Sequence, residues 1–344
     1  YASFANLADI ILAEPGAIIG LTPMRVIRET SDQPVPGGSL TSEWHLEHGM
    51  LDAVVDREEL RERLAILLDL LASKYQLTTR QKTKKTESVK PRLQAWDSVQ
   101  LARHETRPTS AHYVESIVDN FVEFHGDRSY GDDPALICGI GHLGGQTVFV
   151  IGQERGMGEK KSERNGGMIS PEGFRKARRI MLLASKFDIP LITLVDTPGP
   201  LQSLGAEERG MGNAIAVTMA SMSALKTPTI AVVIGEGGSE GALALAVASR
   251  VLMQENAIYS IISPEDAAGL IYQDEAKAEE VAESLKLTAQ DCKELGIVDV
   301  IVQEPTGGAH TNANEAARQL RRAVLQSLAE LQSLSEKKLL SQRY

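Results

Sequence analysis

The sequence predicts an α/β protein, and three observations carry that prediction. From about Gln146 onward, apolar β-branched runs alternate with segments of helical periodicity. Val233-Ile234-Gly235-Glu236-Gly237-Gly238-Ser239-Glu240-Gly241-Ala242 passes from an apolar run through clustered glycines into small residues, reading as a buried strand, a tight turn and a helix. A segment near the start recurs late in the chain with its apolar pattern intact.

Taken in order, Gln146 to Ile151 reads as a short strand. Ser170-Pro171-Glu172 then supplies an N-cap, a first-turn proline and an acid at the positive end of a helix running to about Phe187. Pro190 breaks the chain before a buried strand over Leu191 to Val195, and Asp196-Thr197-Pro198-Gly199 turns out of it. Glu207 and Glu208 are expected to open a helix that faces the core with Ala214, Val217, Ala220 and Ala224. Thr229 to Ile234 is the next buried strand, Ser263-Pro264-Glu265-Asp266 starts another capped helix, and Ala316 to Leu340 reads as one long helix with Leu320, Val324, Leu328 and Leu331 on one side. If the two glycine-bearing strand ends at Gly199 and Gly237 are neighbours, they line one crevice at the carboxyl edge of the sheet.

The repeat pairs Ile10 to Pro23 with Val251 to Pro264 at an offset of 241, and His48 to Val55 with Leu295 to Val302 at 247. Carried back by 241, Gly237 and Gly238 fall before Tyr1. The first copy is therefore expected to start just after its own glycine turn, and the absence of an initiator Met predicts a fragment. Between the copies, Gln76 to Arg92 is polar and basic with little to bury and reads as a flexible linker, an anionic-partner patch being the sharper alternative.

Composition narrows the function. The 344 residues carry 42% hydrophobic residues and suggest about two domains. A net charge of −10 with 4% aromatics argues against general nucleic-acid binding. Cys138 and Cys292 stand far apart, so neither a disulfide framework nor a zinc ribbon is written here, and both read as buried thiols. No membrane span or signal peptide is evident.

Gly237 and Gly238 are the candidate catalytic positions. Backbone without side chains comes close to a ligand, and amides at a helix start favour negative charge, so the pair can form an oxyanion hole in which one donor is worth about 3 kcal/mol. A packing turn, with the glycines present only for close helix and strand contact, is the plainer reading of the same residues. Gly152 to Gly173 carries six glycines with Arg155, Lys160, Lys161 and Arg164, which fits a lid or phosphate-binding loop as well as a solvated surface loop. Asp196-Thr197-Pro198-Gly199 has the Asp-x-x-Gly form of a nucleotide switch, but no Gly-x-x-x-x-Gly-Lys-Ser/Thr loop accompanies it. Asp196 is therefore expected to be a positioning carboxylate, and Gly199 a backbone donor or a turn. His45 and His48 lie three apart without a third metal ligand and read as a surface pair.

Several longer blocks resemble a known family. His125-Gly126-Asp127-Arg128, Arg164-Asn165-Gly166-Gly167-Met168, Pro171 to Ala177, Gly205-Ala206-Glu207-Glu208-Arg209-Gly210, Gly235 to Ser239, Tyr259 to Glu265 and Glu304 to His310 resemble the α subunit of bacterial acetyl-CoA carboxylase carboxyltransferase. Ser3-Phe4-Ala5, Asp9 to Pro15 and Leu46 to Asp52 resemble the C-terminal part of its β subunit. The resemblance implies a crotonase-like fold with a β-type part over 1–77, a linker over 78–92 and an α-type part over 93–344. It implies a cytoplasmic enzyme that moves a carboxyl group from carboxybiotin, held on biotin carboxyl carrier protein, to acetyl-CoA, giving malonyl-CoA for fatty-acid synthesis. Biotin carboxylase and an oligomer of α-type and β-type parts are the implied partners.

In the family, the pair matching Gly237 and Gly238 holds the biotin ureido oxygen as negative charge develops, while a β-side pair stabilises the acetyl-CoA enolate. Gly199, Arg155, Lys160, Arg164 and Gly167 are the implied substrate contacts. No bound cofactor or metal is expected within this chain, since the family's four-cysteine zinc ribbon belongs to a β-type N-terminal segment that is absent here. Three departures stand out: Pro200-Leu201-Gln202 follows Gly199, Gly166 replaces a usual aromatic, and Glu240 places charge beside the hole. Another acyl-CoA as substrate, decarboxylation, or an inactive assembly fragment are the alternative readings.

Overall fold

The computed structural model describes residues 5–30, 33–72 and 93–341. The expected linker over 78–92 lies outside the described residues, as do Ser3 and Phe4 of the β-type motif. The described strands are β1 (Leu12–Ala13), β2 (Ala53–Val54), β3 (Asp119–Glu123), β4 (Leu136–Leu143), β5 (Gln146–Gln153), β6 (Leu191–Thr197), β7 (Thr229–Gly238), β8 (Arg250–Gln254), β9 (Ile258–Ser260) and β10 (Val300–Val302). The main sheet runs β10-β8-β7-β6-β5-β4-β3, with β9 paired to the far end of β7.

Strands β5, β6, β7, β8 and β10 are parallel, whereas β3 and β4 add an antiparallel edge. Parallel strands need both faces covered, and β6 and β7 are buried almost throughout. Successive side chains go to opposite layers. Phe149, Ile151, Leu191, Val195, Ala231 and Val233 pack with helices Pro171–Phe187 and Met211–Ala224, while Val148, Val150, Ile192, Leu194, Ile230 and Val232 pack with helices Ser110–Ile117 and Ala313–Gln332.

The cap signals at Ser170 and Ser263 are realised, since their side chains accept from the Gly173 and Asp266 amides. Three helix expectations need correction. Glu207 and Glu208 close a short helix, Leu204–Glu208, and a new helix starts at Met211 after Gly210 in the left-handed region. Its buried face is Met211, Ala214, Ile215, Thr218 and Met222, because the chain restart rotates the periodicity; Ala220 and Ala224 are exposed. The last helix buries Leu320, Val324, Leu328 and Leu331 as expected but ends at Gln332, and a separate helix covers Glu336–Ser341. Cys138 and Cys292 are buried free thiols. His45 is buried rather than superficial, its Nε2 bonded to the Ile19 carbonyl at 2.7 Å, and His48 stacks on Trp44 at 3.8 Å. Among the described residues no helix is long and apolar enough to cross a membrane.

The internal repeat is a structural repeat, with one adjustment. Strands β1 and β2 pair in parallel, as β8 and β10 do, but Leu12↔Ala53 corresponds to Leu252↔Val300, so the first block is offset by 240 rather than 241. The two loops that follow differ by local insertions, which displaced the apolar match by one residue. Hydrogen bonds repeat one for one. Ile11 N donates to Asp52 Oδ2 and Val251 N to Asp299 Oδ2, both at 2.8 Å, and isolated bridges join Ile18 to Thr41 and Ile258 to Thr288. Met50 N donates to the His45 carbonyl at 2.8 Å, as Ile297 N does to that of Cys292 at 2.9 Å.

The two copies differ in what lies on them. Asp52 is buried and receives Arg179 Nη2 at 2.8 Å and Arg128 Nη2, which tie the first copy onto the larger half. Asp299 is exposed. Asp52→Ala leaves two part-buried guanidiniums unpaired and is expected to cost about 3–5 kcal/mol, whereas Asp299→Ala loses one amide bond worth about 1 kcal/mol. Urea unfolding of the two variants checks the difference.

Candidate active site

The candidate site is built where β6 and β7 end side by side. They pair from Leu191↔Thr229 to Val195↔Val233, slip, and pair again at Thr197↔Gly237. On its other side β7 parts from β8 after Val233↔Met253 and takes β9 as partner through Glu236↔Ile258, Gly237↔Tyr259 and Gly238↔Ser260. The glycine run is therefore extended strand up to Gly238, not the tight turn its composition predicts. The sharp bend falls at Ser239, with φ of 54°.

The glycines serve the close helix and strand contact of the plainer reading. A Cβ on Gly235 would collide with the Asp196 carboxylate and one on Gly238 with the Pro198 carbonyl; one on Gly237 would lie 2.7 Å from Tyr259 Cδ2 and one on Gly241 2.7 Å from the Gly199 carbonyl carbon. No side chain fits between the Asp196–Pro200 loop and the Gly235–Gly241 run.

Asp196 fastens this crossing. Its Oδ1 accepts from Glu236 N at 3.0 Å, its Oδ2 faces Arg155 Nε at 3.2 Å, and its own amide donates to Gln153 Oε1 at 3.1 Å. Gln153 Nε2 donates onward to the Gly241 carbonyl at 2.8 Å, so polar side chains from β5 and β6 hold the start of helix Ser239–Ala246. Burial pushes the Asp196 carboxyl upward, and Arg155 opposes it.

Helices Pro171–Phe187, Leu204–Glu208, Pro264–Tyr272, Ala289–Glu294 and Ala313–Gln332 all start with a side-chain cap. Helix Ser239–Ala246 starts at Gly238 with none, as do helices Ala95–Ala102, Ser110–Ile117 and Met211–Ala224. Its first turn lacks an internal acceptor for its amides, which leaves the positive end of the helix suited to an anion. The acids nearby are matched: Glu236 is paired with Arg103 at 2.6 Å, and Arg103 also holds Glu265 at 2.7 Å. Glu240 is exposed, and its carboxylate receives the Ser239 hydroxyl.

Behind the glycines, Arg107 and Glu304 form a fully buried pair at 2.6 Å. Arg107 Nε donates to the Ile234 carbonyl at 2.7 Å, which anchors β7 just before the site. Burial would raise the Glu304 carboxyl, but Arg107 and the Asn256 amide outweigh it and hold it below the usual glutamate range.

Of the residues expected to form the site, Gly237, Gly238, Gly199, Gly167 and Arg155 come together around Asp196. A Cβ on Gly167 would lie 2.7 Å from the Asp196 carbonyl oxygen. Arg155 is committed to Asp196 and to the carbonyls of Ala102 and His104 at 3.1 and 3.2 Å, and so acts as a strut between elements. Arg164 turns away to the Pro134 carbonyl at 2.7 Å, and Lys160 lies exposed on helix Lys160–Glu163. Arg107, Gln153 and Arg103 carry no spacing signal in the sequence. Among the described residues no His, Cys, Asp and Glu side chains converge in a group able to hold a metal ion.

Solved carboxyltransferases share this architecture. Transcarboxylase 12S superposes with a TM-score of 0.74 at 19% identity, over 95% of this chain and 62% of that one. A single-chain, multi-domain long-chain acyl-CoA carboxylase gives 0.69 at 17% identity, over 94% of this chain and 31% of that one. These likenesses place the fold among the crotonase-like carboxyltransferases.

The chain belongs to the acetyl co-enzyme A carboxylase carboxyltransferase-like family, which it matches over residues 52–344. It is 42% identical over 346 aligned residues to the acetyl-coenzyme A carboxylase carboxyl transferase subunits beta/alpha of Clostridium tetani, covering 100% of this chain and 60% of that protein. It is 47% identical over 262 residues to the alpha subunit from Staphylococcus saprophyticus, covering 76% of this chain and 83% of that subunit.

Gly235→Ala and Gly238→Ala are expected to destabilise the protein by about 1–3 kcal/mol through overpacking. Gly212→Ala, in helix Met211–Ala224 with nothing within 4 Å of its Cβ position, is expected to be stabilising by about 0.5–1 kcal/mol. Thermal unfolding of the three variants checks the contrast.

Proposed function

We propose that this chain is part of the carboxyltransferase component of acetyl-CoA carboxylase and supplies the half of the site that handles the carboxyl donor. The single observation that carries the reading is the buried Gly237 and Gly238 pair at the uncapped start of helix Ser239–Ala246, on a family member. Carboxybiotin on a carrier protein supplies the carboxyl group. Gly237 and Gly238 present backbone dipoles to the ureido oxygen as negative charge builds there, and Asp196 and Gln153 hold them in place before the reaction begins. The acceptor is acetyl-CoA, bound on a β-type surface.

Residues 1–77 belong in this reading to a β-type part and 93–344 to an α-type part, supported by the beta/alpha relative that aligns with the whole chain and the alpha subunit that aligns with 76% of it. In this reading the active assembly is an oligomer of α-type and β-type parts working with biotin carboxyl carrier protein and biotin carboxylase in the cytoplasm; the naming of the relatives as subunits supports it, and the chain spans 60% of the beta/alpha relative.

Gly238→Val in the assembled enzyme is expected to lower carboxyl transfer from malonyl-CoA to a free biotin derivative on the order of 100-fold, the size of losing one oxyanion donor. Near-wild-type transfer by a folded variant would defeat this site assignment. Acetyl-CoA is expected to exceed propionyl-CoA in kcat/KM as acceptor; equal values would redirect the reading to a broader acyl-CoA carboxyltransferase.

A further inference from the structure

The two copies of the repeat present the same corner, and only one of them is covered. In the first copy, Gly49 has φ of 71° and packs so closely on the Gly126–Gly131 loop that a Cβ at either Gly49 or Gly126 would strike backbone of the other side. The Gly49 carbonyl accepts from Arg128 N at 3.0 Å and Arg128 Nη1 at 3.1 Å, and Asp52 takes the guanidiniums of Arg128 and Arg179. In the second copy, Gly296 has the same conformation, φ of 74°, yet its Cβ position has nothing within 4 Å.

The rest of the second corner matches this difference. Val298 is buried like its counterpart Leu51, so the backbone path is the same. Asp299, however, is exposed where Asp52 is 0% exposed, and Leu295 and Ile297 are exposed at 61% and 48%. Asp299 still orders the Val251 amide as Asp52 orders that of Ile11, so the carboxylate is already aimed. The corner thus combines an apolar rim, an open glycine bend and an oriented carboxylate.

We propose that Leu295, Gly296, Ile297 and Asp299 form the docking face for an arginine-bearing loop of a β-type carboxyltransferase half, the counterpart of the Gly126–Gly131 loop that grips Gly49 and Asp52. This rests on the reading of the chain as part of a β/α carboxyltransferase. Charge complementarity and the covered twin select this occupant. A second copy of this chain fits less well, because its own Arg128 loop is already engaged by Gly49 and Asp52. Docking there would give the assembly an internal pseudo-twofold relation, with each half covering the other's corner.

The test mixes the chain with a free β-type carboxyltransferase subunit and reads complex formation by sedimentation, local protection by hydrogen exchange, and carboxyl transfer. Wild type is expected to bind with protection across 293–302, and Asp299→Arg and Ile297→Asp each to weaken binding at least 10-fold while circular dichroism and unfolding midpoint hold. Using two chemically different variants guards against a folding defect in one of them. Binding and transfer by both folded variants equal to wild type would overturn the docking face while leaving the proposed function standing. No complex and no transfer with wild type would overturn both. Self-association of the chain alone, abolished by Ile297→Asp, would assign the face to a second copy and overturn the proposal.

Discussion

Close backbone approach between the loop leaving β6 and the glycine run leaving β7 is the constraint on which the site depends. Gly235, Gly238 and Gly241 each occupy a position where a methyl group would meet the Asp196–Pro200 segment, so the two strand ends lie nearer than side chains normally allow. This approach lets Asp196 reach the Glu236 amide and Gln153 reach the Gly241 carbonyl. Backbone dipoles fixed in this way need no rearrangement when charge develops beside them, which is what makes such a site effective. The bend that starts the helix falls to Ser239, a residue with a side chain in the left-handed region, so the local backbone carries a cost of about 1 kcal/mol or more that the surrounding contacts sustain.

Beside its surface ion pairs the molecule holds a few matched charges in its interior. Arg107 and Glu304 have no exposure, and Glu304 also receives Asn256 and Ala309 amides, so its lone pairs are well occupied. Lys176 is likewise buried against Asp132, whose carboxyl also holds His125. Burial alone would raise the Asp132 carboxyl, but the Lys176 ammonium and the hydrogen bonds hold it well below the ordinary range. Such pairs contribute little net stability compared with apolar packing, but losing one partner is costly, so they favour a single arrangement of strands and loops. The net charge of −10 is therefore a poor guide to the site, where Arg103, Arg107 and Arg155 gather behind the glycines.

Repetition accounts for two further parts of the architecture. Two copies of one strand, turn and helix device bury equivalent residues, Leu51 and Val298, and use equivalent aspartates to order equivalent amides. Their environments differ because only one corner meets the arginines of the larger half. The same local sequence logic therefore yields a buried ion cluster in one place and an open face in another.

Much of this was legible in the chain itself. The alternation of β-branched runs with capped helices identified β5, β6 and β7, the Ser170 and Ser263 helix starts, and the neighbouring glycine ends at Gly199 and Gly237, because period, caps and glycines are local properties. The repeat was also visible, although an apolar match between loops of unequal length placed it one residue out. Only the tertiary structure decided that the glycine run stays extended to Gly238 and bends at Ser239, that Arg155 and Arg164 spend their donors on protein carbonyls, and that Arg107 and Gln153 anchor the site. Those outcomes depend on partners 30 to 127 residues away in the chain, and no local pattern encodes which distant carbonyl or carboxylate a single polar side chain will meet.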